Sequence, residues 1–410
     1  MEEKKVVKKT FWQRVKSAGP AAVITSAFIG PGTVITSTKA GINFGYSLLW
    51  AVVFSGIASI IIMAMASRIA IVGRKNIIDA SVDLVPNNNI WKYFVLILIG
   101  IVIALTALGF EAGNLIGATT GLSDITKLPI WAAGLITGLL SLAAIIYSTP
   151  KFVEVVMQVF VALMGLIFVI LAIALGPDLL GILKGIFLFN PVPSGSIVVV
   201  IGLIGTTIIG INLVFHSIAS ADKWTTLEEL DDSYFDTRMN VSLGVLMTLA
   251  LVITTATAAI SYGITGEGVT TFLVALETIL GKGGRIFGAL GLLLAGLSSA
   301  IGTPYMSGVI FSRLFKWDKS KNYLIKVIAG VAVAFGTGFA MFGKRPDIIV
   351  ASAQALSGVM LPFITILFVL SANKKELGEH KNTMLQNILG MVAVLVTLVL
   401  GGMTIYNVLF

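Results

Sequence analysis

The chain has 410 residues, of which 57% are hydrophobic and only 12% charged, and its mean hydropathy is +0.99. This balance excludes a soluble globular protein of the same length, which needs far more polar surface, and leaves a polytopic membrane protein. The formal charge of +8 follows from basic loops and implies no nucleic acid, and the lack of cysteine excludes disulfides and thiolate ligation.

Residues 1–18 form a basic arm with Lys4, Lys5, Lys8, Lys9, Arg14 and Lys16, and no short apolar stretch there leads to a cleavage site. Apolar runs of roughly 20 residues, the length that crosses a bilayer, follow near 19–40, 46–72, 94–121, 129–149, 152–176, 196–219, 240–263, 284–312, 324–343, 346–371 and 384–408. They predict an all-α fold of eleven transmembrane helices in one membrane domain, 19–408, with the termini on opposite sides. The connection 177–195 reads as an external loop with a short interfacial helix. The connection 220–239, with Glu228, Glu229, Asp231 and Asp232, reads as an acidic, solvated, cytoplasmic connector. Arg68, Arg74 and Lys75 follow the second span, and Arg313, Lys316, Lys319 and Lys321 follow the eighth. Basic loops stay in the cytoplasm. An integral plasma (inner) membrane protein with a cytoplasmic N-terminus and an extracellular C-terminus is therefore expected.

Two spans carry helix-breaking residues. In the first, Gly30-Pro31-Gly32-Thr33 interrupts an apolar run at about half the depth of a bilayer. Backbone groups bared there are tolerated only where they line a protein or solute cavity. In the sixth, Gly205, Gly210 and Asn212 predict a second break near 208–212. Paired interruptions five spans apart are the pattern of a five-plus-five inverted repeat, which places the substrate between them and moves it by alternating access. Repeat one is about 19–176, repeat two about 196–371, and 384–408 is an extra helix.

At these residues the chain resembles the natural resistance-associated macrophage protein (NRAMP) family of metal–proton symporters. That family's first span has an Asp-Pro-Gly-Asn break, then Ala-Gly, then Phe-Gly-Tyr-x-Leu-Leu-Trp. Here Gly30-Pro31-Gly32-Thr33 is followed at the same spacing by Ala40-Gly41 and by Phe44-Gly45-Tyr46-Ser47-Leu48-Leu49-Trp50. Asn212-Leu213-Val214-Phe215-His216-Ser217 is similar to the family's Asn-Leu-x-x-His-Ser. Gly296-Leu297-Ser298-Ser299 is similar to its Gly-Gln-Ser-Ser, and Ala353-Gln354 with Leu361-Pro362-Phe363 to its tenth-span Ser-Gln and Leu-Pro-Phe. The resemblance implies a leucine-transporter-type fold with broken helices one and six.

The departures fall where the resemblance places the metal. The family's Asp, Asn and Met ligands correspond to Gly30, Thr33 and Ile209, and its Pro-His to Gly210-Ile211. Carboxylate and thioether donors are both lost, and a bare divalent cation held by neutral dipoles is costly at the membrane midplane. With no metal site assigned, the expected substrate is a small anion or carboxylate-bearing solute, with bicarbonate favoured, at Gly30, Pro31, Gly32, Thr33, Ile209, Gly210, Ile211, Asn212 and Gln354. Helix N-terminal N–H groups would hold it, and Lys39 would add attraction. The alternative is a divalent cation, Mg²⁺ or Mn²⁺, in a rebuilt site.

Coupling to H⁺ or Na⁺ is expected at Glu111, the one acid placed deep within a span, at His216, and at Ser298 and Ser299. No nucleophile–base pair or metal triad assembles from these residues, so an enzyme is not expected, nor is a cofactor. A non-transporting receptor has no sizeable soluble domain to work through. The expected partners are the lipid bilayer, an ion or small-molecule substrate and the coupling ion, with the protein acting as a monomer.

Overall fold

The computed structural model describes residues 10–16, 19–147, 149–188, 193–266, 268–342 and 361–409. All regular structure among them is helical. A short α1 (Phe11–Lys16) precedes the broken first span, α2 (Pro20–Phe28) and α3 (Pro31–Phe44). Next come α4 (Leu49–Ile71), α5 (Ile77–Val82), α6 (Asn89–Thr126), α7 (Ile130–Tyr147) and α8 (Pro150–Ala174). The connection 177–195 holds α9 (Leu179–Phe187), the short helix expected there, and the sixth span is split into α10 (Ile197–Thr207) and α11 (Gly210–Lys223). Helices α12 (Leu230–Tyr262), α13 (Gly268–Leu314), α14 (Tyr323–Phe342), α15 (Leu361–Ser371) and α16 (Met384–Leu409) complete the chain.

Among the described residues, eight helical stretches are long and apolar enough to cross a bilayer, or nine if the bent pair α8–α9 is one span. The first expected span is the split pair α2–α3, and the tenth is represented by α15. The broken sixth span is the most enclosed of the eight, with lipid-facing side chains concentrated on α7, α14 and α16 instead. This follows from hydrophobicity on every face of α10, which suits a helix surrounded by others.

Both breaks are narrower than the residue pattern suggests. Proline is tolerated at the first helical position because the N–H it lacks is unbonded there anyway. Pro31 therefore starts α3, and Gly32 and Thr33 sit within its first turn. The non-helical residues are Ile29 and Gly30, the latter extended at φ −97°, ψ −178°. In the sixth span they are Ile208 and Ile209, and Gly210, Ile211 and Asn212 are already helical.

The acidic connector is the clearest departure from expectation. Instead of solvated chain over 220–239, α11 runs to Lys223, a 3-10 turn covers Leu227–Glu229, and α12 begins at Leu230. Thr226 and Glu229 form a capping box that starts this helix, with the Thr226 N–H donating to Glu229 Oε2 at 3.0 Å. Two turns later Asp236 is buried, with 1% of its surface exposed. The connection at 264–283 is largely helical too, since α13 starts at Gly268, with non-helical φ/ψ inside it at Gly281, φ 65°.

Candidate functional site

Gly30 sits at the centre of the site for a reason of space. Its φ is negative, so no left-handed conformation demands glycine. A Cβ there would lie 2.9 Å from Ser299 Oγ of α13 and 3.0 Å from Asn114 Oδ1 of α6. The volume that a side chain at position 30 needs is thus already held by an amide and a hydroxyl from two other helices. Ser299 also donates its hydroxyl to the Ala27 carbonyl at 3.1 Å, tying α13 to the last turn of α2. On the other side of the break, Pro31 packs directly against Gly117 of α6, where any side chain would collide with the proline ring.

Asn114 links the break to Glu111. Its Nδ2 donates toward Glu111 Oε2 at 3.5 Å, and the two residues lie one turn apart on the same face of α6. Glu111 is wholly buried. The backbone at Gly336 of α14 passes so close that a Cβ there would meet Glu111 Cγ at 3.0 Å. The second carboxylate oxygen, Oε1, has no hydrogen-bond partner among the described residues. An ionised carboxylate left in this way is expensive, so the group is suited to gaining a proton or a cation.

The last carbonyls of α2 and α10 have no partner within their own helices. At the helix starts, Pro31 has no N–H, while Thr33 and Val34 return theirs to the Gly30 carbonyl at 3.0 and 3.2 Å. Asn212 and Leu213 likewise return theirs to the Ile209 carbonyl at 3.0 and 3.2 Å. Asn212 is buried, and its Nδ2 has no hydrogen-bond partner among the described residues.

The remaining expected residues lie elsewhere or point elsewhere. His216, wholly buried, is set in a cage of hydroxyls: Nε2 lies 3.1 Å from Ser67 Oγ, 3.3 Å from Thr237 Oγ1 and 3.5 Å from Ser220 Oγ. It stands six residues beyond Gly210, about 9 Å along the helix axis, and no contact joins it to Glu111. Ser298 donates to the Ala295 carbonyl of its own helix at 3.0 Å. Lys39 is nine residues beyond Gly30, about 13 Å along α3. Gln354 lies outside the described residues.

Two residues without an assigned role in the sequence reading take part in the structure. Asn114 could have been found from its spacing to Glu111. Asp236, which organises the N-terminus of α2, carries no local signal.

Two half-helix breaks packed side by side within a helical bundle, with one buried carboxylate joined to the first through Asn114, define a membrane transporter with a central site between discontinuous spans. Similarity to known proteins narrows this. A family profile described as natural resistance-associated macrophage protein-like (Nramp) matches residues 21–407, and the chain belongs to that family. The divalent metal cation transporter MntH of Yersinia pestis (strain Pestoides F) is 24% identical, over 95% of each chain. The manganese transporter of Eremococcus coleocola superposes with a TM-score of 0.80 at 20% identity, covering 98% of this chain and 88% of that one. MhsT, solved with L-phenylalanine, gives a TM-score of 0.66 at 17% identity over 95% of this chain and 97% of its own, so the leucine-transporter-type fold stands.

These relatives overturn the expectation of an anion substrate, bicarbonate included, since they are named for divalent metal cations. The structure supplies a physical reason. Pro31 brings no N–H to the first break, Lys39 is more than two turns away, and a carboxylate stands within one amide of the break.

Proposed function

We propose that this protein carries a divalent metal cation, Mg²⁺ or Mn²⁺, across the membrane by alternating access, with a proton as the coupling ion. The observation that supports this most directly is the Asn114 amide, placed between the Gly30 break and the buried Glu111 carboxylate. The donor set available to a cation is entirely oxygen. It comprises backbone carbonyls at the ends of α2 and α10, the Asn114 amide, the hydroxyls of Thr33 and Ser299, and Glu111. Among the described residues no three His, Cys, Asp or Glu side chains cluster to form a ligand cage.

Such a set suits a hard cation that keeps part of its water shell. Mg²⁺ in particular dehydrates reluctantly and is commonly held through one or two carboxylates plus water, and carbonyl and carboxylate oxygens also suit Mn²⁺. Soft ligands, which would favour Fe²⁺ or later metals, are absent from the breaks. In this reading Gly30, Pro31, Gly32, Thr33, Ile209, Gly210, Ile211 and Asn212 wall the substrate site. Glu111 accepts the proton. The N-terminus lies in the cytoplasm, because the basic residues Arg68, Arg74, Lys75 and Arg313 share its side, and α2 and α11 are the half-helices nearest that face.

The test is uptake into proteoliposomes containing the purified chain, with a Mg²⁺- or Mn²⁺-sensitive dye inside. Saturable entry of either ion, faster with acid outside than at symmetric pH, is the expected result. No uptake of either ion above that of empty liposomes, with or without the proton gradient, overturns the proposal.

A further inference from the structure

Arg68, in the last turn of α4, is 4% exposed, and each of its hydrogen-bond acceptors is neutral. Nη1 donates to Gln386 Oε1 at 2.7 Å and to the carbonyls of His380 and Lys381 at 3.2 and 3.3 Å. Nη2 donates to Asn382 Oδ1 at 2.6 Å, and Nε to the Ala64 carbonyl at 3.4 Å. No carboxylate of the described residues pairs with it. These bonds solvate the guanidinium without cancelling its charge, and a buried cation lacking a counterion is a costly arrangement.

A cavity of about 180 Å³ opens beside it between α4, α12 and the start of α16. Its polar end holds Arg68, Arg238, Tyr234, Thr237 and Gln386, and its other end holds Ile60, Ile61 and Ala64. Arg238 lies over the Tyr234 ring, 5.9 Å from the centroid, and is exposed. Asp231 and Asp232, in the first turn of α12, do not line this space. From Arg68 to Ile60 the cavity wall runs about 12 Å along α4, from the charged end of the span into its apolar part.

We propose that this cavity binds a phosphate group carried by an anionic phospholipid, with the headgroup between Arg68 and Arg238 and the first part of an acyl chain along Ile60 and Ile61. Two uncancelled arginines with hydroxyl and amide donors form a phosphate-binding set. Basic pockets between helices at the interface are where anionic headgroups bind. The apolar wall decides the source, because a free phosphate ion gains nothing from Ile60 or Ile61.

The experiment uses the full chain in mild detergent, with native mass spectrometry to count bound lipid and a thermal unfolding curve as the second readout. Dioleoylphosphatidylglycerol, dioleoylphosphatidylcholine and inorganic phosphate are added separately at matched concentration. One tightly retained phosphatidylglycerol, raising the unfolding midpoint where phosphatidylcholine does not, is expected. Arg238→Gln, at an exposed position that leaves the fold intact, should weaken this binding about fivefold. Arg68→Gln should abolish it and is read only if the variant keeps its helical spectrum. Equal binding of the two lipids overturns the proposal, as does an unchanged preference in Arg238→Gln. Inorganic phosphate reproducing the full stabilisation overturns the lipid as its source.

Discussion

Asp236 accepts the backbone N–H of Gly19 at 2.9 Å, across 217 residues of sequence, and that of Ala21 at 3.1 Å. The carboxylate of one helix thus caps the N-terminus of another, α2, whose own N-cap residue has no side chain to do so. Asn240 donates its Nδ2 to Asp236 Oδ1 at 2.8 Å and holds the carboxylate in place. Arg14 of α1 pairs with Asp232 at 3.2 Å, one turn earlier on α12, so the arm and the half-helix are anchored to the same surface. If α2 moves against α12 during the proposed alternating access, this contact has to release.

Replacing that cap should therefore act on both stability and conformation. Asp236→Ala is expected to cost about 1–2 kcal/mol, the range for losing an N-cap, seen as a lower unfolding midpoint in detergent. It should also raise the labelling rate of a cysteine placed at Thr25, now buried. The chain has no cysteine of its own, so such labelling has no background. Asp236→Asn should fall between that variant and the wild type, because its one amide oxygen can still accept from Gly19 and Asn240 while its nitrogen cannot accept from Ala21. An unchanged labelling rate in Asp236→Ala would show that the contact does not restrain α2.

Glu111→Gln keeps the shape of the α6 side chain and removes its charge. Its expected effect is a loss of metal uptake of at least about tenfold, equivalent to about 1.4 kcal/mol, together with loss of the acceleration by external acid. Wild-type uptake with unaltered pH dependence would exclude Glu111 as the proton carrier. Stopped-flow dye uptake into proteoliposomes at several external pH values measures both.

The space at Gly30 predicts a paired behaviour. Gly30→Asp alone adds a carboxylate where Asn114 Oδ1 and Ser299 Oγ stand, and overpacking of this kind costs about 1–3 kcal/mol. Asn114→Gly on its own removes a donor and should weaken metal binding. The double variant has both room and charge, so it should recover the unfolding midpoint and bind Mn²⁺ more tightly than the wild type in calorimetry. Additive destabilisation in the double variant would show that the two positions do not share one volume.

Lys75, on the basic face of the bundle, donates to Asp83 at 2.7 Å and to Glu376 at 3.1 Å. The Asp83 hydrogen bond, followed by that of Glu376, raises its ammonium above the ordinary lysine value. The pair's contribution is accordingly full at neutral pH and is lost as pH rises through the raised value. It is small, because all three groups are largely solvated and screened by salt. Lys75→Gln should leave the unfolding midpoint at pH 7 within about 1 kcal/mol of wild type. The difference should vanish at high salt and at strongly alkaline pH, which a salt and pH series of melting curves would check.

Much of the architecture is legible in the residues themselves. Hydropathy runs place the spans, Pro31 and Gly30 mark the first break, and the Gly-rich sixth span marks the second. The exact residues that break were misplaced by one to three positions, because proline and asparagine are compatible with a helix's first turn. Around Asp236 the connection is helical and partly buried, although Glu228 and Asp231 are exposed as expected. Its acidic residues have the composition of a loop, and only a distant pair of N–H donors makes Asp236 stable when buried.

The substrate site divides along the same line. The sequence alone determined that this is a helical membrane transporter on a metal-transporter scaffold, and that the scaffold's carboxylate and thioether ligands are absent at Gly30, Thr33 and Ile209. Those are local facts of residue type. Only the tertiary structure decided that Asn114 and Ser299 occupy the vacated volume and that Glu111 stands one amide from the break. Each depends on helices far apart in the chain meeting at a few ångströms, a geometry that packing of the whole bundle sets and no local periodicity encodes.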